Sequence, residues 1–171
     1  AVGLLTESME KTGSFDMQKG LELAEKLECW FMEYFPTSQR KDIAQSMIFE
    51  LQDKLVEKEY LSSKLYYDLG SYSGNASYSS TRNNYLAAIV TAQNVLKEYP
   101  YTKMREELSI LILRAKYHMA KESVLEKRED RMRETVDEYY AFKNEFPESK
   151  YMKEVEVIYA DVSKYISTDE E

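Results

Sequence analysis

Among 171 residues the chain has one cysteine, one histidine, three prolines and five glycines, and each scarcity closes off a class of protein. A lone Cys29 cannot form a disulfide within the chain. Inside "KLECWFMEYF" it reads as a packed core thiol, because unpaired cysteine is among the most buried residue types. His118 is the only side chain that ordinarily titrates near neutrality, and "RAKYHMAKE" offers it no Cys or Ser partner at local spacing and no His-Glu-x-x-His pattern. It reads as a satisfied or exposed helix histidine. Five glycines supply no phosphate cradle either, since "GSYSGNAS" lacks the Lys-Ser/Thr ending and a flanking strand. The carboxylates of "REE", "EKRED" and "DEYYAFKNE" sit among Lys and Arg at helix-pair spacing, the pattern of solvated ion-pair faces. No catalytic, cofactor-binding or metal-binding residue is assigned, and the chain is expected not to be an enzyme. A run of about 18 apolar residues, as a membrane span needs, is missing too. The start "AVGLLTESMEK" has neither the basic region nor the apolar stretch of a signal peptide. The net charge of −8, with no basic stripe to offset it, argues against nucleic acid as a partner.

What is present is helix. With 43% hydrophobic and 32% charged residues, the chain can bury a core and stay soluble as one domain over residues 1–171. Met17, Leu21, Ala24, Leu27, Phe31 and Tyr34 recur at spacings of three and four, which predicts a helix over about 14–35. From Thr37 to Leu69 there is neither Pro nor Gly, and good helix formers dominate, so one long helix near 38–70 follows. The Gly, Ser and Asn of "GSYSGNASYSSTRNN" predict a loop near 71–84. Tyr85, Ala88, Ile89, Ala92, Leu96 and Tyr99 mark the next helix. "MREELSILILRAKYHMA" is apolar nearly all round at Ile110 to Leu113 and should be the best-buried helix, with neighbours on several sides. Thr135, Val136, Tyr139, Tyr140 and Phe142 form one further face, and Val155, Ile158, Tyr159, Val162 and Ile166 another. Residues 167–171 should be a frayed tail.

All three prolines sit in one repeated phrase of aromatic, Pro, any residue, then Ser or Thr: "FPTS" from Phe35, "YPYT" from Tyr99 and "FPES" from Phe146. Proline disfavours helix in the residue before it but suits the start of a new one, and the Ser or Thr two residues on can cap that start. Each phrase therefore reads as a corner between helices, with the aromatic packing across it. Three such corners suggest repeated helix pairs.

Here the chain resembles the tetratricopeptide family, whose repeat is about 34 residues long. With Pro100 at the repeat-ending proline, Tyr85 takes the aromatic and Ala88 the small position of a second helix. Pro36 puts Ala24 at the same small position, and Ser63 with Tyr66, like Ser46 with Phe49, fits the small-then-aromatic pair of a first helix. Glu59 and Glu106 stand where that pattern has Trp. Pro36 to Pro100 spans 64 residues and Pro100 to Pro147 spans 47, so both intervals are enlarged. The long helix containing "ELQDKLVEKEYLSSKLYYDLG", then "LKEYPYTKMREEL" and "VDEYYAFKNEFPESKYMKEVE", resembles the BamD family of outer-membrane assembly lipoproteins in its Bacteroidetes-like form, over about Ser14 to Ile166. The resemblance implies an all-α, tetratricopeptide-like helical-hairpin solenoid of about six helices. It covers the later part of that family, so the chain is expected to begin mid-repeat, with "AVGLL" the stump of an earlier helix. It further implies a scaffold subunit of the β-barrel assembly machinery on the periplasmic face of the outer membrane, held there by a lipid anchor that this chain does not carry. The implied partner is the periplasmic domain of the barrel-forming subunit BamA, with unfolded outer-membrane proteins as a second class. A generic tetratricopeptide adaptor or co-chaperone that binds peptide tails is the alternative.

A stack of helix pairs leaves an extended surface that suits a protein partner better than a small substrate. If Ser63 and Tyr66 face the paired helix, the stripe Tyr60, Lys64, Tyr67 turns toward a groove, where Tyr rings and Lys stems offer wettable contact area. Arg114 and Tyr117 extend the same groove. The plain alternatives are half-exposed surface for the stripe, a helix-surface charge for Arg114 and a packing side chain for Tyr117.

Overall fold

A computed structural model describes residues 17–35, 41–70 and 84–166. Those residues form six helices and no strand: α1 Met17–Tyr34, α2 Lys41–Leu69, α3 Asn84–Glu98, α4 Arg105–Lys121, α5 Leu125–Glu145 and α6 Met152–Ile166. The expected long helix is α2, at 29 residues. The expectations for "AVGLL", the corner at Pro36, most of the loop and the tail fall on residues 1–16, 36–40, 71–83 and 167–171, outside the described residues. Asn84, placed by sequence at the end of the loop, opens α3.

The chain divides into two compact units, Ala1–Glu57 and Lys58–Glu171, with the division inside α2. In the first unit Ala24 on α1 and Ile48, Leu55 and Val56 on α2 are buried, and Gln52 donates to the Glu25 carboxylate at 3.0 Å. Cys29 is exposed, which corrects its reading as a core thiol. It shares α1 with the exposed Trp30 and Tyr34, and its apolar neighbours in sequence do not make it part of the buried stripe that Ala24 marks.

The second unit is built around α4. Every residue from Leu108 to Leu113 is buried, Ser109 included and with it the expected apolar run Ile110 to Leu113, because α3 and α5 pack on α4 and α6 touches it as well. α3 contributes Ala88, Ile89, Ala92 and Val95, and the other side of α4 shares a core with Met132, Tyr139 and Phe142 of α5 and Val155, Ile158 and Val162 of α6. Full burial of each Ile, Leu, Val or Phe in such a core contributes about 1.5–3 kcal/mol. Met132 is buried despite its charged neighbours in "REDRMRE", while Tyr140, expected on the buried face, is exposed. Tyr139 takes the inward position of that pair and stacks on Tyr159 at 4.2 Å.

The two described proline corners share one hydrogen-bond scheme. The amide of the aromatic before proline still closes a helical bond, Tyr99 to the Val95 carbonyl and Phe146 to the Phe142 carbonyl, both at 2.8 Å. The next two bonds match as well: Thr102 N–H reaches the Tyr99 carbonyl at 3.2 Å and Ser149 N–H the Phe146 carbonyl at 3.1 Å. The hydroxyls then accept from the amides two residues on, Met104 to Thr102 at 3.2 Å and Tyr151 to Ser149 at 3.0 Å. The Ser or Thr therefore satisfies an amide at the helix entrance, one of the groups that has no partner within the helix. The corners also lie side by side, since Arg105 donates to the Pro100 carbonyl at 2.9 Å and pairs with Glu145, and Ser149 donates to Glu106 at 2.6 Å.

Candidate functional site

Ser63 is fully buried and its hydroxyl donates to the Ala88 carbonyl at 2.8 Å, so the two small residues assigned by the repeat pattern meet where α2 crosses α3. Four residues on from Ser63, on the same face, Tyr67 follows it against α3. Tyr66 is exposed, which corrects the expectation that Tyr66 faces the paired helix and leaves Tyr67 outside it. One residue on a helix is about a 100° rotation, enough to exchange the two roles.

Tyr67 is half-buried with its ring edge-on to Tyr85 of α3 at 5.9 Å and to His118 of α4 at 5.8 Å. His118 stacks on Tyr85 at 5.5 Å with 13° between the rings, and Tyr117 meets it edge-on at 5.4 Å. Four rings from three helices thus form one cluster. Gly70 closes α2 in the left-handed conformation, φ 51°, with its amide on the Tyr66 carbonyl at 3.1 Å. A Cβ there would lie 2.6 Å from the Tyr85 hydroxyl oxygen, so the backbone favours glycine and any side chain would also have to displace the tip of the Tyr85 ring. Tyr85 in turn reaches the Glu122 carboxylate at 3.4 Å.

The charged groups of this face are paired across helices. Arg114 holds Glu154 of α6 through two hydrogen bonds, Nε to Oε1 at 2.6 Å and Nη2 to Oε2 at 2.5 Å, and lies over the Tyr151 ring at 5.2 Å. The guanidinium holds the Glu154 carboxyl below its ordinary range. Tyr117 donates to Asp161 at 2.6 Å, and Lys121 reaches both, at 3.0 Å to the Tyr117 oxygen and 3.2 Å to Asp161. The Tyr117 hydrogen bond, ahead of Lys121, keeps the Asp161 carboxyl low. Burial raises the Tyr67 phenol, and Arg114 opposes it.

Of the sequence-derived residues, the structure brings Tyr67 and Tyr117 together on His118, with Arg114 near Tyr67 and paired with Glu154. It does not bring Tyr60 or Lys64 into the cluster: Tyr60 is half-buried, and Lys64 pairs with Asp68 on its own helix at 2.8 Å. Glu154 and Asp161 were not singled out by sequence, and neither Tyr85 nor His118 was counted as part of a binding face. The sequence reads Tyr85 as the aromatic of a second helix and His118 as a satisfied or exposed helix histidine, and the separations of 40 and 44 residues from Arg114 to Glu154 and Tyr117 to Asp161 leave no local signal.

Chemically, the face offers tyrosine rings and hydroxyls set among neutralised ion pairs, suited to contact area and hydrogen bonding. Among the described residues no group of three His, Cys, Asp or Glu could hold a metal ion, and no helix is long and apolar enough to cross a membrane. No family model matches the chain and no curated protein matches it.

Proposed function

We propose that the chain is a non-enzymatic adaptor of tetratricopeptide-like helix pairs that binds a periplasmic protein partner in outer-membrane β-barrel assembly. The observation that carries the binding face is the set of links along every second helix: Tyr67 on α2 lies near Arg114 on α4, which grips Glu154 on α6, while Tyr117 on α4 grips Asp161 on α6. In stacked helix pairs, alternate helices share one face, and that face is where partners dock. Two proline corners with the same hydrogen bonds and the contact between the small residues Ser63 and Ala88 support the repeat reading. The assignment to barrel assembly, to a lipid-anchored position on the periplasmic face and to the BamA-like periplasmic domain as partner, with unfolded outer-membrane proteins as a second class, rests on the resemblance in sequence.

The peptide-tail adaptor is less well supported. A clamp for a terminal carboxylate needs cations that are free to receive it, and Lys64, Arg114 and Lys121 each already hold a carboxylate of this chain. The test is co-purification of the full-length, membrane-anchored protein with the barrel-forming subunit. Recovery of that subunit, reduced by Tyr67→Ala or Arg114→Ala, supports the reading. Failure to recover it from wild type removes the assembly role, and recovery indifferent to both substitutions removes this face.

A further inference from the structure

His118 is the only histidine of the chain, and its ring is the hub of the aromatic cluster. Tyr67 reaches it from α2, Tyr85 from α3 and Tyr117 from its own helix, so three helices meet on one imidazole. We infer that this cluster is an acid-sensitive clasp: neutral His118 holds the C-terminal end of α2 onto α3 and α4, and a proton taken up by its ring loosens that hold.

A half-buried imidazole between tyrosine rings has little water with which to solvate a charge, and burial holds its pKa below the ordinary 6.5. Glu122, the residue just past α4, pulls the other way, and Lys121 at the end of α4 adds to the lowering. Several other charges on the elements packed around α4 are engaged elsewhere. Arg114 is with Glu154 of α6, Lys116 with Glu138 of α5, and Asp161 of α6 with Tyr117 and Lys121. Arg128 and Arg131 of α5 both donate to Ser123, and Asp68 of α2 pairs with Lys64. Glu122 is the carboxylate that acts on the His118 ring, and it already accepts from Tyr85 at 3.4 Å. Drawing the charged ring toward Glu122 and water parts the stack on Tyr85. With it goes the contact through which Tyr85 meets Gly70 and Tyr67 at the end of α2. The sign follows from linkage: a histidine pKa lower in the folded state means that the open state binds the proton more readily. The clasp is fully closed above the ordinary value of 6.5 and is lost as the pH falls through the lowered folded value.

The test is amide hydrogen exchange over Leu61–Gly70 in the full chain, corrected for the intrinsic pH dependence of exchange, at about pH 7.5 and about pH 5.5, a window in which an unperturbed carboxylate hardly titrates and a histidine does. Wild type is expected to lose protection there on acidification, while His118→Phe, which keeps a ring and removes the proton site, keeps it at both pH values. An equal loss in both proteins, or no loss in wild type, overturns the inference. Should His118→Phe not fold, NMR titration of the His118 ring in wild type decides the matter. A midpoint below 6.5, tracked by the Tyr67 and Tyr85 ring resonances, is expected. A midpoint at or above that value, or rings that do not follow it, overturns the clasp.

Discussion

The Ser63 hydroxyl and the Ala88 carbonyl meet at 2.8 Å across α2 and α3, and neither residue is accessible to water. Two small side chains let the helices approach this closely, and a serine that could not reach a partner would leave a buried hydroxyl unpaired. Ser63→Ala should cost only about 0.5–1.5 kcal/mol, because the carbonyl belongs to a helix bond in any case. Ser63→Leu should cost more, about 1–3 kcal/mol or above, by forcing the helices apart. Denaturant titration of both variants measures the order, and equal costs would mean that the crossing is not tightly packed.

Gly70 carries two separate constraints, its left-handed φ and the Tyr85 ring. Gly70→Ala should destabilise by about 1–2 kcal/mol from the backbone alone, with an added term from the clash. In a Tyr85→Ala background the clash term should vanish and the backbone term remain. A double-mutant cycle on thermal or chemical unfolding reads the difference directly.

The Arg114 and Glu154 pair is half-exposed, so its geometry overstates its stability. A double-mutant cycle should give a coupling of about 0.5–1 kcal/mol at low salt, falling as salt rises. The Glu154 carboxyl sits below its ordinary value of 4.5 in the folded state. Its contribution is therefore present above 4.5 and should disappear as the pH falls through the lowered value.

Tyr117→Phe tests the neighbouring link. Loss of the hydroxyl should return the Asp161 carboxyl toward its ordinary value of 3.8 and cost about 1 kcal/mol at neutral pH. Because Asp161 is held low in the folded state, the loss should be present above 3.8 and fade as the pH falls through the folded value. An unfolding curve for each protein at neutral and strongly acid pH checks both the size and the disappearance.

Local pattern accounts for what was legible in the sequence. The absence of Pro and Gly between Thr37 and Leu69 marks α2, the unbroken apolar run marks α4, and the proline phrases mark corners whose hydrogen bonds repeat at Thr102 and Ser149. Tyr66 and Tyr67 were exchanged because periodicity fixes a face only to within about a residue of rotation, and the packing of α3 decides which ring turns inward. Cys29 was misplaced for a related reason, since composition says how often cysteine is buried and nothing about which side of α1 it occupies. The ring cluster at His118 was hidden because its members come from three helices. Nothing in "RAKYHMAKE" announces Tyr67 or Tyr85.

The central proposal is that a protein partner docks on the face along α2, α4 and α6. The most direct measurement is site-specific photocrosslinking in cells, with the protein carrying the photoreactive residue at Tyr60 or Lys64 on α2, or at the exposed Gln93 on α3 or Glu134 on α5. Crosslinks to the barrel-forming subunit from the α2 positions and none from Gln93 or Glu134 are the expected result. Crosslinks from Gln93 or Glu134 alone, or none from any position, would contradict it.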